Sequence, residues 1–374
     1  MVLARLWVDG PIIRDWKGQV FLAGVSYRGD SRGGCENYFD KAAQDAEKIK
    51  GWGFNCIKFP IAWKWFEPTS FGFDMDYLNT CVQAIKEFTS RGIYVVIHLE
   101  SGDTERCRGN LRNFIPMSTT TWFFLDAFLT DTGPNGAREH IKEAFLRISD
   151  ALKDDDGIVG YSIINNVHID KITALSLQQQ HDLWWNALDY LTSSLRGNGD
   201  NKIVFATGCP YEQTWIYMNR LLSDPNTAYD PHFYQGTKSG GVPSNYDLAW
   251  LRDKFSTGQC YIREKMLEFP NAPFLIGEFG VLGGDGPTTW DEPKSLWERN
   301  ALAVFREQGR NMAGWLHFAY YNNSWSNYGL WDPIVRAIQE SMVDKPTEVH
   351  TPISPMIQIQ GPITAGLILL LGTL

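Results

Sequence analysis

The sequence predicts an α/β chain closed into a single (β/α)8 barrel of the TIM type, with a small N-terminal β-hairpin. Three observations predict it. Eight short apolar segments alternate with eight helical ones between residues 20 and 342. The apolar segments are near-continuous, as strands covered on both faces are. No Gly-rich phosphate loop follows the first strand, where an open doubly wound sheet commonly carries one. The "GGDG" at 283–286 opens no helix.

The hairpin comes first, because Asp9-Gly10 is turn chemistry between two apolar runs, and it would cap the barrel floor. The first strand is "VFLAGVSY" (20–27), followed by helical "DKAAQDAEKIKGWG" (40–53), which ends at glycine. "CIKFPIAW" (56–63) is the second strand, with the helical "MDYLNTCVQAIKEFTSRG" (75–92) after it. "IYVVIHLE" (93–100) is the third, and a long connection leads to "AREHIKEAFLRISDALK" (137–153). "IVGYSIINN" (158–166) is the fourth, with a helix near 177–195. "KIVFATG" (202–208) is the fifth, with a helical stretch near 211–222. "TAYDPHFY" (227–234), "FLIGEFG" (274–280) and "MAGWLHFAY" (312–320) are the last three strands. Helices are expected near 257–268, near 294–308 and at 333–342. Residues 1–345 thus make one barrel, and 346–374 a Pro-containing spacer and an apolar C-terminal tail.

The 374 residues carry 34 Lys and Arg against 43 Asp and Glu, a net charge of −9. With no basic run, the chain is a poor partner for nucleic acid or an anionic membrane. The six cysteines, Cys35, Cys56, Cys81, Cys107, Cys209 and Cys260, lack CxxC spacing, which argues against zinc ribbons and redox motifs. Cys56 and Cys209 fall in or beside strands as buried thiols. Cys35 and Cys107 fall in loops, where a disulfide stays open. "MVLARLWVDGPIIRDWKGQ" has no apolar core of signal-peptide type, and no compartment is assigned. The tail "GPITAGLILLLGTL" is too short to span a bilayer as a helix. With its spacer it has some likeness to a lipid-anchor signal, so membrane attachment through it is one reading; a frayed or packed tail is the preferred one.

In such a barrel, functional side chains come from the C-terminal ends of the strands. Those ends carry Lys58, Pro60 and Trp63; His98 and Glu100; Asn165 and Asn166; His232 and Tyr234; Glu278; and Trp315 and His317. Glu278 is a carboxylate in an apolar strand beside glycines, and a buried charge is costly unless paired or used. His232 and Tyr234 are two apart and face one side. The apolar flanks of Lys58 argue for a paired, inward lysine. Fifteen tryptophans exceed what a core needs, and flat rings in a cleft stack on sugars. There is no HxH, HExxH or GxSxG, which argues against a zinc hydrolase and a serine nucleophile. No metal or cofactor is expected.

"FLAGVSYRG", "GFNCIKFPIAWKWFEP", "GIYVVIHLE", "YDPHFY", "FLIGEFG" and "GWLHFAY", in this order, resemble the glycoside hydrolases of family 5 over residues 10–335. That resemblance implies a retaining hydrolase of β-linked glycans, of glucan or mannan type. It implies Glu278 as nucleophile and Tyr234 as the hydroxyl that holds it. It implies that His232 orients the acid/base or the substrate. His98 and Asn165 would bind sugar hydroxyls, Asn165 at the 2-OH, and Trp315 would form a sugar platform. Trp63 is a further candidate at the cleft. Two positions depart from the family pattern. Lys58 stands where the family usually has an arginine that supports the nucleophile, which loses the planar fork. Asn166 stands at the acid/base glutamate. Glu100, His168 and Asp170 are the nearby groups that could replace it. Three readings follow: an enzyme with an unusual acid/base, a carbohydrate-binding pseudoenzyme, or an Asn166 introduced to trap a complex.

Overall fold

The structure is a computed structural model that describes residues 2–27, 38–100, 123–124, 136–165, 167–168, 175–208, 214–235, 244–258, 260–280 and 292–318. The chain begins with β1 (Trp7–Asp9), β2 (Ile12–Asp15) and β3 (Gly18–Gln19), an antiparallel sheet with one strand more than the hairpin expected. Gly10 takes φ +58° in the first turn, where a side chain would be strained. Asp15 closes the second turn by accepting from the backbone N–H groups of Lys17 and Gly18 at 2.7 and 3.0 Å.

The barrel follows: β4 (Leu22–Ser26), β5 (Cys56–Ala62) and β6 (Tyr94–Glu100). A short β7 (Phe123–Phe124) comes next, then β8 (Ile158–Asn165), and β9 (Val167–His168) pairs with β7 as a separate parallel sheet. The barrel continues with β10 (Ile203–Thr207), β11 (Thr227–Asp230), β12 (His232–Phe233), β13 (Phe274–Phe279) and β14 (Met312–His317). All barrel pairings are parallel, and the β14–β4 and β11–β13 pairings close the ring. The sixth strand is two pieces, β11 and β12, because Pro231 between them has no N–H to give a ladder.

The helices are α1 (Ala42–Gly51), α2 (Trp63–Phe66), α3 (Met75–Ser90), α4 (Ala137–Leu152), α5 (Leu177–Gly197), α6 (Leu248–Ser256), α7 (Ile262–Glu268) and α8 (Glu292–Arg306). Three have side-chain caps that supply acceptors for orphan N–H groups. Asp74 caps α3, Asp247 caps α6, and Ser176 with Gln179 forms a capping box on α5.

The helical stretch expected near 211–222 is not seen among the described residues, where 214–226 form turns and bends; 211–213 lie outside them. Trp215 and Met218 are buried three apart, which mimics helical spacing. The segment's carbonyls instead face α5: Gln178 donates to the Tyr217 carbonyl and Trp185 to that of Arg220, both at 2.9 Å. The expected helix at 333–342, the tail at 346–374, and Cys35, Cys107 and Cys209 lie outside the described residues. Among the described residues, no helix is long and apolar enough to cross a membrane.

Two apolar clusters hold the molecule. One lies inside the barrel floor, where Leu22, Cys56, Val96, Phe205, Leu275 and Leu316 pack with Leu6 and Ile13 from the N-terminal segment. The other joins the outer strand faces to the helices and takes in Trp184, Trp185, Trp215 and Trp297, all fully buried. Much of the tryptophan excess is therefore packing. Cys56, Cys81 and Cys260 are buried free thiols; burial pushes the latter two up to about 12.

Candidate active site

Strand alternation places the site. On β5, Cys56 belongs to the floor cluster, and Lys58, two residues on, faces the same way. The same step leads from Leu22 through Gly24 to Ser26, from Val96 to His98 and Glu100, and from Ala228 to Asp230. All five polar residues so reached are almost fully buried. On these four strands the inward face thus turns from apolar to polar along the chain.

Glu278 joins this group. The β13–β14 register shifts between Ile276 and Phe279, which breaks simple alternation beside it. Its Oε2 accepts from the Tyr234 hydroxyl at 2.9 Å and lies 3.4 Å from His232 Nδ1. His232 and Glu278 are direct cross-strand partners. Glu278 is 3% exposed.

Lys58 donates to Asp230 Oδ2 at 2.9 Å, with both residues buried. Ser162 donates to the same oxygen at 2.8 Å. The other oxygen of Asp230 lies 3.7 Å from His232 Nε2. The sequence reading named Lys58 but missed Asp230. The available signal was its position two residues before His232, on the same face.

His98 Nε2 lies 3.2 Å from Glu100 Oε2. Burial holds the His98 ring below its ordinary value; the Glu100 hydrogen bond opposes this, and the charge of Lys58 adds to it. His232 is pushed down to about 3, mainly by burial and then by Lys58, against the pull of Asp230. Both rings are therefore neutral at pH 7. Glu100 lies opposite Asn165 in the β6–β8 register. The Asn165 and His168 side chains, and all of Asn166 and Asp170, lie outside the described residues.

Two expected cleft residues are placed elsewhere. Trp315 is 3% exposed and meets Phe54 and Phe279 edge-to-face at 5.9 and 5.8 Å, in the layer between strands and helices. Its neighbour Leu316 faces the barrel interior, so Trp315 faces away and forms no platform there. Trp63 is fully buried and donates its indole N–H to Glu67 at 2.7 Å. Glu67 also accepts from the Phe71 backbone at 2.8 Å and meets His140 of α4, so Trp63 ties the connection after β5 to α4. His317 likewise faces Glu298 of α8 at 3.0 Å. Among the described residues, no group of three His, Cys, Asp or Glu is placed to hold a metal.

An eight-stranded parallel barrel with a buried carboxylate cluster at its strand ends defines the class, a (β/α)8 barrel. The cellulase family, glycosyl hydrolase family 5, matches residues 17–324, and the chain belongs to that family. Similar solved structures include an endogalactoceramidase, at 18% identity over 85% of this chain and 75% of that one, with a TM-score of 0.63. The endocellulase of Pyrococcus horikoshii in complex with cellotetraose is 14% identical over 91% of this chain and 99% of its own, with a TM-score of 0.64. Endo-glycoceramidase II from Rhodococcus sp. is 18% identical over 90% and 81%, with a TM-score of 0.62. At these identities the likeness establishes the fold alone. No curated protein matches the chain in sequence.

Proposed function

We propose that the chain is a retaining β-glycoside hydrolase-like protein acting on β-linked glycans of glucan or mannan type, with Glu278 as nucleophile and acid/base function impaired at Asn166. The observation that carries this reading is the hold on Glu278, with the Tyr234 hydroxyl at 2.9 Å and His232 at 3.4 Å on the same oxygen. Membership of the cellulase family and likeness to an endocellulase and two glycoceramidases support a β-linked substrate.

A retaining glycosidase uses two carboxyl groups about 5–5.5 Å apart. In this reading Glu278 attacks the anomeric carbon and becomes a glycosyl ester. The Tyr234 hydroxyl steadies its oxygens for that attack. His98 and Asn165 would bind hydroxyls of the reacting sugar. The partner group at Asn166 is an amide, with no proton to give at neutral pH and no basic lone pair to take one back. General acid–base catalysis typically contributes about 10²–10⁴-fold, or about 3–5 kcal/mol of barrier. Leaving groups that need no proton escape this loss.

The test is Asn166→Glu beside the native chain, on β-glucans, mannans and aryl β-glycosides. A gain of about 10²–10⁴-fold on the glycans alone is expected. Native turnover without gain would point to another acid; Glu100, across from Asn165, is the first to examine. A second reading, a carbohydrate-binding pseudoenzyme, is favoured by Lys58, which departs from the family pattern and pairs with Asp230. Sugar binding with no turnover in either form would support it.

A further inference from the structure

One buried group has no part in that mechanism. Asp230 is 1% exposed at the end of β11. Its Oδ2 is fully engaged, by Lys58 at 2.9 Å and Ser162 at 2.8 Å. Among the described residues its Oδ1 has no hydrogen-bond partner, and neither has the His232 Nε2 that faces it at 3.7 Å. Across the ring, His232 Nδ1 lies 3.4 Å from Glu278. One imidazole thus stands between two carboxylates. A neutral ring has one N–H and can donate to only one of them.

Asp230 therefore competes with Glu278 for that proton, and the competition is set by how far Lys58 and Ser162 satisfy Asp230. Room for the arrangement is built into β13. A Cβ at Gly277 would lie 1.5 Å from Asp230 Oδ1, so only glycine lets the carboxylate stand beside the nucleophile's strand. The other groups bearing on His232 are Lys58 from β5 and His98 and Glu100 from β6.

We propose that Asp230 is a positioning residue for the nucleophile: it takes up the charge of Lys58 and, because Lys58 and Ser162 hold its Oδ2, it leaves the proton of His232 to Glu278. The inference rests on Glu278 being the nucleophile. It also gives a role to the lysine that replaces the family's arginine. Lys58 acts on Asp230, and the effect reaches Glu278 through the ring.

The test is covalent labelling with 2,4-dinitrophenyl 2-deoxy-2-fluoro-β-cellobioside, followed by intact mass and peptide mapping across pH. In this step a bond forms between a Glu278 carboxylate oxygen and the anomeric carbon. The bond to the aryl oxygen breaks, and dinitrophenolate leaves with the electron pair. No proton is needed, so Asn166 does not obscure the readout. In Asp230→Asn, Lys58 loses the counter-charge of Asp230. Labelling is expected to slow by roughly tenfold, and the acid limb of its pH–rate profile to move down by about one unit. Adding Lys58→Met to Asp230→Asn should bring the limb back toward its original place.

Asp200→Asn is the control, since Asp200 is an equally buried carboxylate that accepts from Tyr161 at 2.7 Å. It should cost stability without moving the limb. Ser162→Ala removes a single hydroxyl and keeps the test available if Asp230→Asn does not fold. It leaves Asp230 less satisfied and should shift the limb upward. A wild-type chain not labelled at Glu278 overturns the nucleophile itself. A chain labelled there, with limbs unmoved in Asp230→Asn and Ser162→Ala or moved equally in Asp200→Asn, overturns the role of Asp230 alone.

Discussion

The lower and upper halves of the barrel interior are built from the same strands and the same inward face, yet they are different materials. Below, Leu22, Cys56, Val96, Leu275 and Leu316 pack against one another and against Leu6 and Ile13. Two to four residues further along those strands, or on their neighbours, stand Ser26, Lys58, His98, Asp230 and Glu278. Burial is almost complete in both halves, so exposure does not separate them. The difference is what each half does with lost water. The floor gains from burying apolar surface, about 25 cal/mol per Å². The upper layer takes charges out of water, and each must find a partner to make that tolerable. Single substitutions should therefore act on stability below, and on both stability and chemistry above.

The largest effect tests the upper layer as chemistry. Glu278→Gln should lower turnover of an activated aryl β-glycoside by roughly 10⁴-fold or more, measured as kcat/KM. A loss under tenfold would move the nucleophile elsewhere. Next comes a stability contrast, read by urea unfolding. Lys58→Met strands Asp230 as an unpaired buried charge and should cost about 3–5 kcal/mol. Adding Asp230→Leu should recover most of that. In the floor, Leu275→Ala should cost about 2–5 kcal/mol, and no second polar-to-apolar change should rescue it. Rescue in both halves, or in neither, would erase the distinction.

Smaller still is Tyr234→Phe, which removes one hydrogen bond to a carboxylate. A loss of about 1.5–3 kcal/mol corresponds to roughly 10- to 100-fold in kcat/KM, with KM nearly constant. The gentlest probe is pH. His232 is held neutral in the folded chain down to about 3, whereas an unfolded histidine binds its proton near 6.5. Below pH 6.5 the unfolded state binds the extra proton, so stability present at neutral pH falls as pH drops toward 3. The slope from this ring is at most about 1.4 kcal/mol per pH unit. His232→Phe should flatten the unfolding free energy against pH over that window. An unchanged slope would show that the ring is protonated in the fold.

The sequence disclosed the barrel because eight apolar runs need eight strands, and their polar exits pointed to His98, His232, Tyr234 and Glu278. It hid Trp315, because "MAGWLHF" is apolar on both faces and gives no alternation to tell inside from outside. It hid Asp230 because an aspartate before proline looks like turn chemistry. The helix α6 went unseen because "LAWLRDKFS" is short, with only Leu251 and Phe255 buried. Near 211–222, where a helix is expected, the carbonyls of Tyr217 and Arg220 accept from side chains of α5 instead. Pattern shows which segments are buried. It does not show which partner a buried charge has found, because that partner comes from a distant strand.

The clearance at Gly277 has a consequence for anyone transplanting this barrel's seventh strand. Position 277 can accept a methyl group only if the carboxylate at 230 is removed or displaced. The two positions must therefore change together. A chimera that borrows "FLIGEFG" without "YDPHFY" would carry the glycine's empty space but not the group that fills it.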